Sequence, residues 1–240
     1  MTYNTIQYCF TLQDGAQEFF NLSFDPETFE LKHLAPDKLP EWAKLDFHQC
    51  PNCPLDSKSF PFCPVAANLV AIVERFHGLE SHTPVHLDVI TEERLISHDT
   101  TVQESGSSLM GLVMATSGCP HTAFFRPMAR FHLSLASEKE TVYRAISMFL
   151  LAQYFILKKG KDADLSFKGL CKIYHNVHIV NTAIVERLRA ANEKDPSLNA
   201  IILLDMYALF LPHVIDKSLA EVEYLFAPYI NDKYNLLKEE

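Results

Sequence analysis

The sequence predicts an α+β fold: a small N-terminal β meander, a Cys/Pro-rich segment, then a mainly helical C-terminal region. Three observations carry this. Residues 3–32 alternate apolar and polar side chains with a period of two. Between His33 and Pro64 stand Pro36, Pro40, Pro51, Pro54, Pro61 and Pro64, which leaves no room for a long helix or a central strand. Beyond Pro64 the apolar residues recur mostly at helical spacing.

In the first part, Ile6, Tyr8, Phe10 and Leu12 share one face and Asp14-Gly15 supplies a turn. Phe20, Leu22 and Phe24 resume the alternation, Asp25-Pro26-Glu27 turns again, and Phe29 and Leu31 follow. The proline-rich stretch needs another source of order, and Trp42 and a metal both qualify. Pro64 suits a helix start, so VAANLVAIVERF reads as a helix ending near Gly78. Residues 84–94 read as a strand leading into a second one through Thr101. Helices are expected near 104–117, 122–132, 138–158, 166–193, 197–211 and 217–229. Ser137 with Glu140 forms a capping box for the third of these.

With 240 residues, 48% hydrophobic and 21% charged, the chain suits one large domain, or one domain with a small appendage. The division expected is a β-rich part over 1–45 and a metal-binding, mainly helical domain over 46–240. A net charge of −9 argues against general nucleic-acid binding. Lys158, Lys159, Lys161, Lys168 and Lys172 read as a solvated loop and helix start. MTYNTIQYCFTLQDG lacks the features of a signal peptide. The apolar runs 147–157 and 199–215 read as buried core helices rather than membrane spans, the second because Asp205 interrupts it. A cytoplasmic protein is expected, and there clustered cysteines are more often metal ligands or reactive thiols than disulfides.

Four of the six cysteines precede proline: Cys50, Cys53, Cys63 and Cys119. Cys50-x2-Cys53 can present two thiolates from one tight turn, Cys63 sits at a helix start, and Cys119 follows Gly118 at a helix end. Four close thiolates repel one another unless a cation holds them. An iron–sulfur cluster accepts four cysteines. Zinc accepts four, or three with a histidine such as His48 or His121. Iron–sulfur, zinc and no metal all remain open. A zinc deaminase is excluded because the chain has no H-x-E upstream of the cysteine pair. A thioredoxin-like site is disfavoured because Pro54 and a polar loop follow Cys53.

His121, Arg126, Arg130 and His132 lie close in sequence, and a helix would place Arg126 and Arg130 on one face. They are candidates to bind an anionic small molecule, with surface arginines in ion pairs as the plainer reading. Cys171, His175 and His178 share a helical face, which suits either a second metal site or a buried cysteine beside ordinary histidines. Cys9 falls on the polar side of the first strand. SSLMGLVMATSG reads as core packing in which Gly111 allows close helix approach, not as a ligand pocket. The chain contains no Walker loop, dinucleotide fingerprint or nucleophile elbow.

As a set, HQCPNCPL, FCPVAANL, GLVMATSGCPH and MARFHL resemble an uncharacterised family of bacterial proteins, over residues 45–210, with a more variable N-terminal meander. The resemblance implies a bacterial, intracellular protein and no particular activity. The leading expectation is a metal-centred, iron–sulfur or zinc, binding or sensor protein with a redox response. One alternative is an enzyme acting on an anionic small molecule with a structural metal. Another is a protein-interaction adaptor that adds a partner strand to residues 3–32.

Overall fold

Strands β1 (Asn4–Leu12), β2 (Gln17–Phe24) and β3 (Leu31–Lys32) form the expected antiparallel meander. Gly15 closes its first hairpin at φ 85°, a conformation glycine takes without a Cβ clash. In the computed structural model, which describes residues 4–32, 34–191 and 196–231, the sheet does not end there. Strands β4 (Pro84–Ile90) and β5 (Leu95–Thr101) form a second hairpin, and β4 pairs with β1. The order is β3-β2-β1-β4-β5, so strand pairing runs across the 45/46 boundary.

One face of this sheet carries Ile6, Tyr8, Phe10, Phe20, Leu22, Phe24, Val85, Leu87 and Val89, all buried. Helix α1 (Pro64–Phe76) packs on it. The rings of Phe10, Phe20 and Phe76 meet edge to face with centroids 5.3–5.8 Å apart. Helix α2 (Val102–Thr116) follows β5 directly, capped by the Thr101 side chain, which accepts from Glu104 N. Gly118, at φ 91°, ends the turn after it.

The expected helix over 122–132 is instead a 3₁₀ turn at Ala123–Phe125 followed by the short α3 (Arg126–Arg130). Pro127 lies in the first turn of α3, where its missing N–H costs nothing. Helix α4 (Glu138–Lys158) has the Ser137–Glu140 capping box in both directions. Helices α5 (Lys168–Ala190) and α6 (Pro196–Val222) pack along one another. The two helices expected at 197–211 and 217–229 are one as far as Val222, then a 3₁₀ turn and α7 (Ala227–Ile230). Pro212 sits inside α6 without ending it. Leu211 and Ile215 are buried on either side, so packing outweighs the lost backbone bond.

A second core joins α4, α5 and α6 through Val142, Ile146, Phe149, Leu170, Tyr174 and Leu211. The two apolar runs are buried on one side only: Leu151, Tyr154 and Phe155 on α4, and Met206, Leu209 and Phe210 on α6, are exposed. Pro196–Ile215 is long and apolar enough to cross a membrane, by length and composition only, and 28% of its apolar window is buried.

Candidate functional site

The proline-rich segment is ordered by a residue the sequence reading passed over. Arg187 of α5 is 1% exposed. Its guanidinium donates to the carbonyls of Trp42 (2.8 Å), Lys44 and Leu45 (3.0 Å). A segment rich in proline is short of backbone donors, so its carbonyls need partners from elsewhere, and a buried arginine supplies five N–H groups. The signal was present: Val180, Ile184, Arg187 and Leu188 follow the apolar stripe of α5. Trp42 is itself buried in a 3₁₀ turn, Glu41–Ala43.

From this anchor the chain forms an arch. Leu45 N donates to Pro61 O (3.0 Å) and Cys63 N to Ala43 O (2.9 Å). Cys63 is thereby set at the N-cap of α1. The Cys50–Cys53 turn is closed by Cys53 N to Cys50 O at 3.0 Å. It is tied to α5 by Asn52 Nδ2, 3.2 Å from Asn176 Oδ1. His121 completes the enclosure, its Nε2 lying 2.7 Å from Asn52 O. A carbonyl only accepts, so Nε2 is the donor, and the contact leaves Nδ1 uncommitted.

Cys63 and Cys119 are buried, and Cys50 and Cys53 pack half-buried against the same core. Burial pushes the Cys50 thiol up to about 12, and Cys63, Cys119 and Cys53 each push in the same direction, while Arg187 opposes them. The Cys119 thiol is raised chiefly by burial, against amides of Thr122 and His121 that favour its thiolate. The four thiols therefore share one neighbourhood. Even so, among the described residues no group of three or more His, Cys, Asp or Glu side chains is placed to hold a metal ion as it stands. Electrostatic repulsion reaches further than a coordination bond, so both statements hold: the thiols converge without forming a closed ligand set.

The structure does not gather the four residues after Cys119 into one anion site. Arg126 pairs with Glu30, and Arg130 with Glu93 at 3.5 Å. Arg130 and His132 flank a cleft of only about 30 Å³. His121 belongs to the cysteine enclosure. His132 Nε2 shares a short hydrogen bond with the buried Tyr8 hydroxyl, whose oxygen also lies 3.0 Å from Ser108 Oγ. Desolvation pulls the His132 pKa down to about 3, so the imidazole is neutral. Elsewhere, Cys9 is buried on β1, 3.9 Å from Thr11 Oγ1. Cys171 packs against the α4–α5–α6 core, and His178 bonds Asp205 at 2.9 Å. None of the six cysteines is in a disulfide.

A Ser-His-Asp alignment lies on the sheet. Ser97 Oγ is 2.9 Å from His86 Nε2, and His86 Nδ1 is 2.6 Å from Asp99 Oδ1. The Asp99 side chain is 92% exposed, whereas a catalytic triad buries its carboxylate. Asp99, ahead of all other groups, raises the His86 pKa. We read the trio as cross-strand pairing on a solvated face.

The expectation for SSLMGLVMATSG is corrected in part. Gly111 does allow close approach, since a Cβ there would lie 3.1 Å from Leu204. The same helix face, through Ser107, Ser108, Gly111, Leu112 and Ala115, also lines a cavity of about 480 Å³. Its other walls come from β5, from α3 to α6 and from residues 132–136 between α3 and α4, too far apart in sequence to be associated by spacing.

One family model matches the chain, a domain of unknown function (DUF6901), over residues 6–227. The chain belongs to the DUF6901 family. No curated protein and no solved structure matches it. The matched range takes in the five-stranded sheet except Asn4 and Thr5 of β1, together with the cysteine enclosure and the cavity, so in this chain both candidate sites lie within the DUF6901 unit.

Proposed function

We propose that this DUF6901 protein is a metal-centred binding protein whose Cys50, Cys53, Cys63 and Cys119 close around an iron–sulfur cluster or a zinc ion. The observation that carries the reading is the enclosure itself: a turn, a helix start and a helix end bring four thiols from separate segments to one place. Two features support it. Arg187 is a buried cation with no carboxylate within ion-pair distance among the described residues, and a thiolate centre would supply the missing negative charge. His121, whose Nδ1 is uncommitted by the Asn52 contact, is the alternative fourth ligand. The shift from converging thiols to ligand spacing would accompany metal uptake, which releases protons and draws thiolates inward.

The test is anaerobic purification from cells supplied with iron and zinc, followed by visible spectroscopy and elemental and sulfide analysis. A brown protein with iron and sulfide identifies a cluster; a colourless one with stoichiometric zinc identifies a zinc centre. A metal-free protein, or metal content unchanged when all four cysteines become alanine, overturns the reading.

A further inference from the structure

Outside the cysteine enclosure, α2, α3, α4, α5 and α6 wall a cavity furnished with both apolar and polar groups. At about 480 Å³ it falls in the range of small-molecule sites. Leu112, Met114, Phe125, Met128, Leu204 and Ala208 give it an apolar interior. His98 and Glu104, both exposed, mark where it reaches solvent.

Two polar groups in this wall lack the partners that a closed protein core would give them. Arg144 donates through Nη2 to the carbonyls of Met128 and Phe131, both at 2.9 Å, and among the described residues it has no carboxylate at ion-pair distance. Glu140, one turn before it on α4, acts on Arg144 only from further away. Asn181 is 0% exposed. Its Nδ2 donates to Asp205 Oδ1 at 3.2 Å, which fixes the amide and leaves Oδ1 a buried acceptor without a donor. Native proteins seldom leave a buried acceptor unpaired.

We propose that this cavity binds a small amphipathic monocarboxylate, its carboxylate on Arg144, its apolar body along α2 and α6, and a hydroxyl or amide N–H of the ligand donating to Asn181 Oδ1. A single guanidinium suits a single negative charge. Glu104 at the mouth and the chain's net charge of −9 oppose a phosphate dianion. The neutral His132 and the hydroxyls of Ser107 and Ser108 add polarity without adding charge.

The test titrates decanoate, the monohydroxydecanoates, decanol and decyl phosphate onto the full chain by calorimetry, below micellar concentrations. Decanoate is expected to bind one to one, at least about tenfold more tightly than decanol or decyl phosphate. At least one hydroxydecanoate is expected to exceed decanoate, an advantage that Asn181→Leu removes. Arg144→Gln is expected to lower decanoate affinity to the level of decanol, and Ala136→Trp, which fills the cavity from its wall, to abolish binding. If Arg144→Gln does not fold, the carboxylate–alcohol comparison on the native chain and the Ala136→Trp variant still decide. Equal binding of decanoate and decanol, tighter binding of decyl phosphate, no gain from any hydroxyl, or binding that survives Ala136→Trp overturns the proposal.

Discussion

The Arg187 guanidinium donates to the Trp42 carbonyl across 2.8 Å of buried space, joining α5 to the segment that leads into the cysteine turn. Lys44 and Leu45 accept from the same side chain, so one residue satisfies three carbonyls. Replacing it with methionine keeps much of the packing and orphans all three. Arg187→Met is expected to cost roughly 3–5 kcal/mol, as breaking a buried charged network does. Urea unfolding of the metal-free protein measures this, and a loss below about 1 kcal/mol would show that the arch stands without its anchor.

The Cys50 thiol gives a second expectation. In the fold its pKa rises to about 12, from burial first and the other three cysteines next. An ordinary cysteine ionises near 8.5, so at pH 8 Cys50 is protonated far more completely in the fold than in the unfolded chain. The folded pKa is the higher one, so metal-free stability is full below about pH 8.5 and falls as pH rises towards 12. Alkylation of Cys50 by iodoacetamide at pH 8, with metal chelated, is expected to run at least about tenfold slower in native than in urea-unfolded protein. Peptide mass spectrometry reads the ratio, and equal rates would refute the shift.

Local chemistry was legible in the sequence where one segment decides its own structure. The period-two meander, the Ser137–Glu140 box and the glycine stop at Gly118 all formed as read. Structure that depends on distant partners was not legible. Nothing within residues 84–90 names β1 as the neighbour of β4, since both strands are apolar on alternate positions and either would suit other partners. Pro212 looked like a helix end because the packing of Leu211 and Ile215 against α4 and α5 lies outside any local window. The cysteines were visible as candidates because Cys-Pro pairs stand out in one dimension. The Arg144–Asn181 cavity joins residues on two helices through a space that no spacing rule describes.

Close packing between α1 and α2 yields a steric expectation. A Cβ on Gly106 would lie 2.9 Å from Cε2 of Phe76, whose ring is locked edge-on between Phe10 and Phe20. The ring has little room to retreat, so Gly106→Ala should destabilise the fold by about 1–3 kcal/mol despite the higher helix propensity of alanine. The second variant Gly106→Ala/Phe76→Leu should recover part of the loss, because leucine withdraws the clashing ring edge. Thermal melts of the pair test this, and a Gly106→Ala protein more stable than the parent would show that α2 can move away.

His132 links the sheet to the helical layer through the Tyr8 hydroxyl and carries the clearest dependence on acid. Desolvation is the larger cause of its depressed pKa, with the nearby Arg144 charge adding to it. Its folded value, about 3, lies below the ordinary histidine value of about 6.5. The unfolded chain therefore takes up this proton first. Stability from His132 is complete above about pH 6.5 and is lost as pH falls towards 3, by an amount on the order of 4 kcal/mol. Replacing the ring with a neutral amide in His132→Gln removes that slope. Urea unfolding at pH 7 and pH 4 should show the native protein weakening more than the variant between the two. The His132 ring protons should likewise hold one chemical shift from pH 8 to pH 5, and a midpoint near 6.5 in that titration would place the imidazole in solvent, not against Tyr8.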